Sequence, residues 1–219
     1  MQTLSTARSE SQILATNKVL KNTYALLSAT LFFSALMAFV SMSIAPPAGT
    51  GLISMLVAMG LIWLVLPKTA NSSTGIWVVF AITGLLGFGI GPLLNTYMAM
   101  EGGGQIVATA FGGTGAIFLG LSGYALTSKK DFSFMAGFLM VGLVIAIIAM
   151  IANIFLQMPA LSLVISSVVI LIMSGFILYD TSAILRGEQT NYIIATISMY
   201  LSIFNIFIHL LNILGAARD

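Results

Sequence analysis

One carboxylate stands inside the long apolar runs of this chain: Asp180, in the stretch 175–186. A charge at membrane depth costs about 2.5 to 3.5 kcal/mol on insertion scales, so an acid placed there calls for hydrogen-bonding partners and for a use. The next apolar segment carries Ser198, Ser202, Asn205, His209 and Asn212 at steps of four, three, four and three, which sets all five on one face of an α-helix. A buried carboxyl accepts from hydroxyls as the anion and donates to them as the acid, so these residue types suggest proton-dependent hydrogen bonding along a polar seam. The plainer alternatives are an interfacial Asp180 that fixes a helix end, and serines and asparagines that glue helices together at about 0.6 kcal/mol each.

The elements that must position these residues are membrane spans. Of 219 residues, 59% are hydrophobic and 6% charged, with a mean hydropathy of +1.09, which describes an all-α integral membrane protein. At about 20 apolar residues per crossing there is room for seven helices and no soluble domain. The spans are expected at 22–44, 51–66, 76–98, 106–126, 134–156, 159–185 and 192–214. Pro46, Pro47 and Gly49 end the first, and Pro67 with Lys68 closes the second, whose shortness leaves re-entrance as the alternative to crossing. Gly84, Gly87, Gly89, Gly91 and Pro92 foretell close packing and a kink in the third, with Gly87 and Gly91 read as core packing. Asn95, Asn153 and Gln157, toward helix ends, are expected to be satisfied locally. Residues 1–21 form a polar, unstructured tail without a secretory signal, 22–214 the transmembrane domain and 215–219 a short external tail.

Arg8, Lys18, Lys21, Lys68, Lys129, Lys130 and Arg186 fall on one side of the seven crossings and Arg218 alone on the other. By the positive-inside rule the amino terminus is cytoplasmic and the carboxyl terminus outside. Asp180 then lies six residues before Arg186, about 9 Å inside the cytoplasmic end of its helix. The matching depth on the last helix is Ser198, with Ser202 one turn deeper. Asn205 and His209 continue the seam outward, as a water path or as structural hydrogen-bonding groups, and a helix so polar along its length belongs at the centre of a bundle.

Other chemistry finds little support. No cysteine and a single histidine exclude thiol chemistry, disulfides and ordinary zinc sites, so no metal or cofactor is expected. A net charge of +2, widely dispersed, does not suit nucleic acid. Gly120-Leu121-Ser122-Gly123 resembles the nucleophile motif of rhomboid proteases, but Ser122 near the cytoplasmic end and His209 near the outer end are separated by most of a core about 30 Å thick. A retinal-type photoreceptor would need a lysine after Lys130, and none occurs. A non-enzymatic role is therefore expected.

Gly91-Pro92 with Asn95-Thr96-Tyr97, the run Tyr124-Ala125-Leu126-Thr127 into Lys129-Lys130-Asp131-Phe132-Ser133-Phe134, Asn153-Ile154-Phe155-Leu156, Leu178-Tyr179-Asp180-Thr181 and Asn191-Tyr192-Ile193 accumulate along the chain. Together they resemble the Bax-inhibitor family of seven-helix membrane proteins, in its bacterial YccA branch, from Thr16 to Asp219. The resemblance implies two layers of three helices around a central helix 7. In the wider family an acid at the position of Asp180 pairs with a second acid on helix 7, forming a pH-sensitive dyad that gates calcium leak. Ser202 stands at that second position here, and one carboxylate is a poor site for an ion that prefers six to eight oxygens. For the bacterial branch the resemblance implies association with FtsH, a membrane-anchored ATP-dependent protease, of which such proteins are modulators and slow substrates. The tail, with Arg8, Lys18 and Lys21, is the expected degradation handle. The other expectation is a proton, cation or calcium leak through Asp180, Ser198, Ser202, Asn205 and His209.

Overall fold

The computed structural model describes the backbone of residues 2–47 and 49–217 and the side chains of 14–47 and 49–217. Helices and short connections make up these residues, with no strand among them, and seven of the helices are long and apolar enough to cross a membrane. They are α1 (Gln2–Ile44), α2 (Gly49–Thr69), α3 (Thr74–Met98), α4 (Gly103–Ser128), α5 (Ala136–Leu156), α6 (Pro159–Leu185) and α7 (Tyr192–Ala216).

Several boundaries differ from expectation, and two of the differences have a plain physical reason. α1 begins at Gln2 instead of residue 22, because no glycine or proline interrupts 2–44 and its polar amino-terminal part is rich in residues that tolerate a helix. The apolar span within it starts at Leu14. α2 runs through Pro67 to Thr69, beyond the helix end expected at 66. Its Leu61–Val65 segment takes π-type geometry, with the Leu66 N–H reaching the Leu61 carbonyl. The widened turn makes room for a proline that lacks an N–H and would crowd the carbonyl four residues back. At 21 residues, α2 is long and apolar enough to cross. α7 ends at Ala216, two residues past the expected 214. Arg218, the one outer cation of the charge count, lies outside the described residues.

The chain divides into two compact units. The first holds residues up to 96 together with 184–200, and the second holds 97–183 with 201 onward, so α7 gives its beginning to one and its remainder to the other. Within the first unit α3 presents Gly84, Gly87 and Gly91, all buried, on one face. An added Cβ at Gly84 would stand 2.7 Å from the Phe33 ring, at Gly87 2.9 Å from the Ser34 carbonyl carbon, and at Gly91 2.5 Å from Ser41 Cβ. The glycines thus let α1 and α3 meet almost backbone to backbone, which is the core-packing role their spacing suggested. On another side of α3, Gly89 lies against Ser54 of α2. Asn95 is satisfied across the helix pair, its Nδ2 donating to the Met42 carbonyl at 3.1 Å, where a local partner was expected.

Within the second unit, Leu139 and Ala146 of α5, Ile165, Val169, Ile172, Met173 and Ile177 of α6 and Ile206 of α7 form the core. The opposite face of α5 is apolar and bare, with Phe138, Val141, Ile145, Ile148 and Phe155 each more than half exposed. In a span of mean hydropathy 2.8 that face is suited to lipid. The α5–α6 turn closes locally as expected: the Gln157 N–H donates to the Asn153 carbonyl at 2.8 Å and the Met158 N–H to Asn153 Oδ1 at 3.1 Å.

Candidate functional site

Asp180 is half-buried in the last third of α6, on a stretch where Ile177, Thr181, Ser182 and Ile184 are fully packed. It belongs to the second unit with Ser202, which is buried, whereas the half-buried Ser198 belongs to the first. Two residues after Asp180, Ser182 donates from Oγ to the Lys130 carbonyl at 2.9 Å and accepts the Phe132 N–H at 3.3 Å. One buried hydroxyl thereby fastens the α4–α5 loop to α6. Nothing in the sequence around Ser182 distinguishes it from the many other serines in apolar runs.

Farther along α7 the seam resolves into different tasks. Asn205 turns back on its own helix, its Nδ2 donating to the Leu201 carbonyl at 2.8 Å. His209 and Asn212 converge on α6: His209 Nδ1 lies 2.9 Å from Ser166 Oγ, and Asn212 Nδ2 donates to Ser166 Oγ at 3.1 Å and to Ser162 Oγ at 2.9 Å. Ser166 Oγ, with two lone pairs and one hydrogen, thus meets both the Asn212 amide and the His209 ring at one point. Ser162 and Ser166 are a helical turn apart, a spacing that matches His209 and Asn212 and is visible in the sequence.

The first unit has a second polar seam. Thr23, Thr30, Ser34 and Ser41 of α1 are buried at steps of seven, four and seven, one helix face. Tyr200 of α7, 1% exposed, donates from its phenol to the Thr83 carbonyl of α3 at 3.3 Å and stands 2.6 Å from Ser34 Oγ. With the phenol proton so placed, the serine donates to the tyrosine, and α1, α3 and α7 share one buried junction. Nearby, Thr196 Oγ1 donates to the Tyr192 carbonyl at 2.7 Å and leans toward that of Thr23 at 3.4 Å. Asn191 caps α7, its Oδ1 accepting from the N–H groups of Ile193 and Ile194 at 2.9 and 3.2 Å. Its Nδ2 holds the α2–α3 loop through the Ala70 carbonyl and Asn71 Oδ1 at 3.0 and 2.8 Å.

The protease-like pair does not form. Ser122 is 3% exposed and its hydroxyl has no partner among the described residues, while Nδ1 of His209 is taken by Ser166. Lys18 and Lys21 are exposed along α1, and the side chain of Arg8 lies outside the described residues.

Comparison with known proteins gives these features a context. The chain is 53% identical over 218 residues to "Modulator of FtsH protease YccA" of Escherichia coli K12, covering 99% of this chain and 98% of that protein. The same identity holds for "Inner membrane protein YccA" of Escherichia coli O6:H1. An "Uncharacterized membrane protein" of Vibrio cholerae is 54% identical over 206 residues, covering 94% of this chain and 92% of the relative. The family model described as "Inhibitor of apoptosis-promoting Bax1" matches residues 16–219. Seven span-length helices and a match over nearly the whole chain agree, and the chain belongs to the Bax-inhibitor family.

Proposed function

We propose that the chain is a non-enzymatic, multi-pass protein of the bacterial inner membrane that associates with the FtsH protease complex, tempers its action and is itself degraded slowly by it. The observation that carries this reading is the 53% identity, across almost the full length of both chains, to a protein called a modulator of FtsH protease. The charge distribution supports a cytoplasmic amino terminus and an external carboxyl terminus. The 56% buried share of α7, the largest of the seven spans, supports a central α7 between two three-helix layers. The handle is the cytoplasmic segment 1–21 with Arg8, Lys18 and Lys21, and it reaches the protease as the start of a helix. Deleting residues 2–13, ahead of the span that begins at Leu14, together with Lys18→Gln and Lys21→Gln should lengthen the protein's half-life in a pulse-chase with FtsH active. An unchanged half-life would remove the handle from this reading.

A second reading is favoured by Asp180 lying half-buried inside the membrane-length helix α6. It is a passive proton or cation pathway, with calcium the weakest candidate ion, through Asp180, Ser198, Ser202, Asn205 and His209. Proteoliposomes should then show a pH-dependent flux that falls in Asp180→Asn. Equal flux from variant and wild type would leave Asp180 a tie between helices.

A further inference from the structure

The loop between α4 and α5 is held more firmly than a connection at the end of two spans requires. Lys129 adopts the left-handed conformation at φ 50° while its N–H closes on the Ala125 carbonyl at 3.1 Å. One oxygen of Asp131 accepts the Ser133 N–H at 2.7 Å, opening the 3-10 turn Ser133–Met135. Phe132 is buried under the loop with its ring 6.2 Å from that of Tyr124. Ser182 pins the backbone from α6 on both sides of Asp131. What this frame leaves outward is Lys129, Lys130 and Asp131, all exposed, with the lysines in the majority; Lys130 Nζ sits 5.8 Å from the centre of the half-bare Tyr124 ring, and Phe134 is 78% exposed.

We infer that this loop is a preformed site for the headgroup of an anionic phospholipid, with Ser182 as its positioning residue. The occupant follows from charge and place. Two exposed lysines follow each other on a fixed backbone at the end of two membrane-length helices, while Tyr124 supplies an amphipathic ring of the kind that favours the headgroup boundary and Phe134 an exposed apolar one. The one carboxylate of the loop, Asp131, accepts a loop N–H through one oxygen and is outnumbered by the two lysines. A lysine near a charged bilayer surface changes affinity about fivefold, so two lysines beside one carboxylate should shift the preference for anionic over zwitterionic lipid on the order of fivefold.

The test is native mass spectrometry of the purified full-length protein in detergent with equimolar phosphatidylglycerol and phosphatidylcholine. Wild type should retain phosphatidylglycerol preferentially. Lys129→Gln/Lys130→Gln should lose that preference, and Lys18→Gln/Lys21→Gln, which removes the same charge from α1, should keep it. Ser182→Ala should weaken the preference with both lysines present, because the loop is no longer pinned. Equal loss from both lysine pairs would reduce the effect to general surface charge and overturn the site. Unchanged lipid retention in Lys129→Gln/Lys130→Gln would overturn it as well, and would leave the loop to an acidic protein partner.

Discussion

Replacing Gly87 by alanine should destabilise the protein by about 1–3 kcal/mol, despite the roughly 0.8–1 kcal/mol that alanine gains over glycine in a helix interior. The added methyl would stand 2.9 Å from the Ser34 carbonyl carbon and 2.6 Å from its hydroxyl oxygen. Backbone cannot step aside as the tip of a flexible side chain can, so α1 must move off α3. That movement also disturbs the Ser34 hydroxyl 2.6 Å from Tyr200, adding the loss of a buried bond to the steric cost. Gly112 supplies the opposite case: it lies inside α4 with nothing within 4 Å of an added Cβ. Gly112→Ala should therefore leave stability unchanged or raise it by a fraction of its propensity gain, on the order of 0.5 kcal/mol. Thermal unfolding in detergent, followed by circular dichroism, separates the two. A melting temperature for Gly87→Ala at or above wild type would show that the helix pair is looser than its contacts indicate.

The packing role of Gly87 and Gly91 is legible in the sequence because small residues at a four-residue step have few uses in an apolar span. The spans themselves are equally legible, since hydropathy over about 20 residues reports the ability to cross a bilayer directly. Hydropathy says nothing about where helical geometry stops. The start of α1 at Gln2 escapes it for that reason: residues 2–21 are polar but free of helix breakers. The end of α2 escapes it because Pro67 reads as a stop, while a π-type turn just before it absorbs the proline.

The polar residues are legible as a set but not as partners. Asp180, Asn205 and His209 announce themselves by their cost in hydrocarbon. Ser182, Ser166 and Ser34 do not, because a serine can satisfy its hydroxyl on its own helix and is common in apolar runs. Which of them turns toward a neighbour depends on the rotation of each helix, a tertiary property that spacing alone leaves open. Tyr200 is hidden for the converse reason. It reads as one more aromatic in an apolar segment, yet its phenol joins Ser34 and Thr83 in one junction.

Ser166→Ala should cost about 1–3 kcal/mol, more than removing any single average interhelical bond in a membrane. The alanine withdraws the oxygen that meets both His209 Nδ1 and Asn212 Nδ2, and it leaves His209, 9% exposed, with no hydrogen-bond partner for that nitrogen among the described residues. Asn212 keeps Ser162 at 2.9 Å, which sets the upper end of the range. Asn205→Leu, on the same face of the same helix, should change stability by only a few tenths of a kcal/mol, since its bond runs to the Leu201 carbonyl one turn back and ties no second helix. The comparison distinguishes two accounts of the seam. If specific α6–α7 bonds hold it, Ser166→Ala and Asn212→Leu should be coupled in a double-mutant cycle, and Asn205→Leu should add independently to either. If polarity along α7 matters only as a general property of a buried helix, Asn205→Leu will shift the melting temperature as far as Ser166→Ala does, and the bonds to Ser166 lose their special standing.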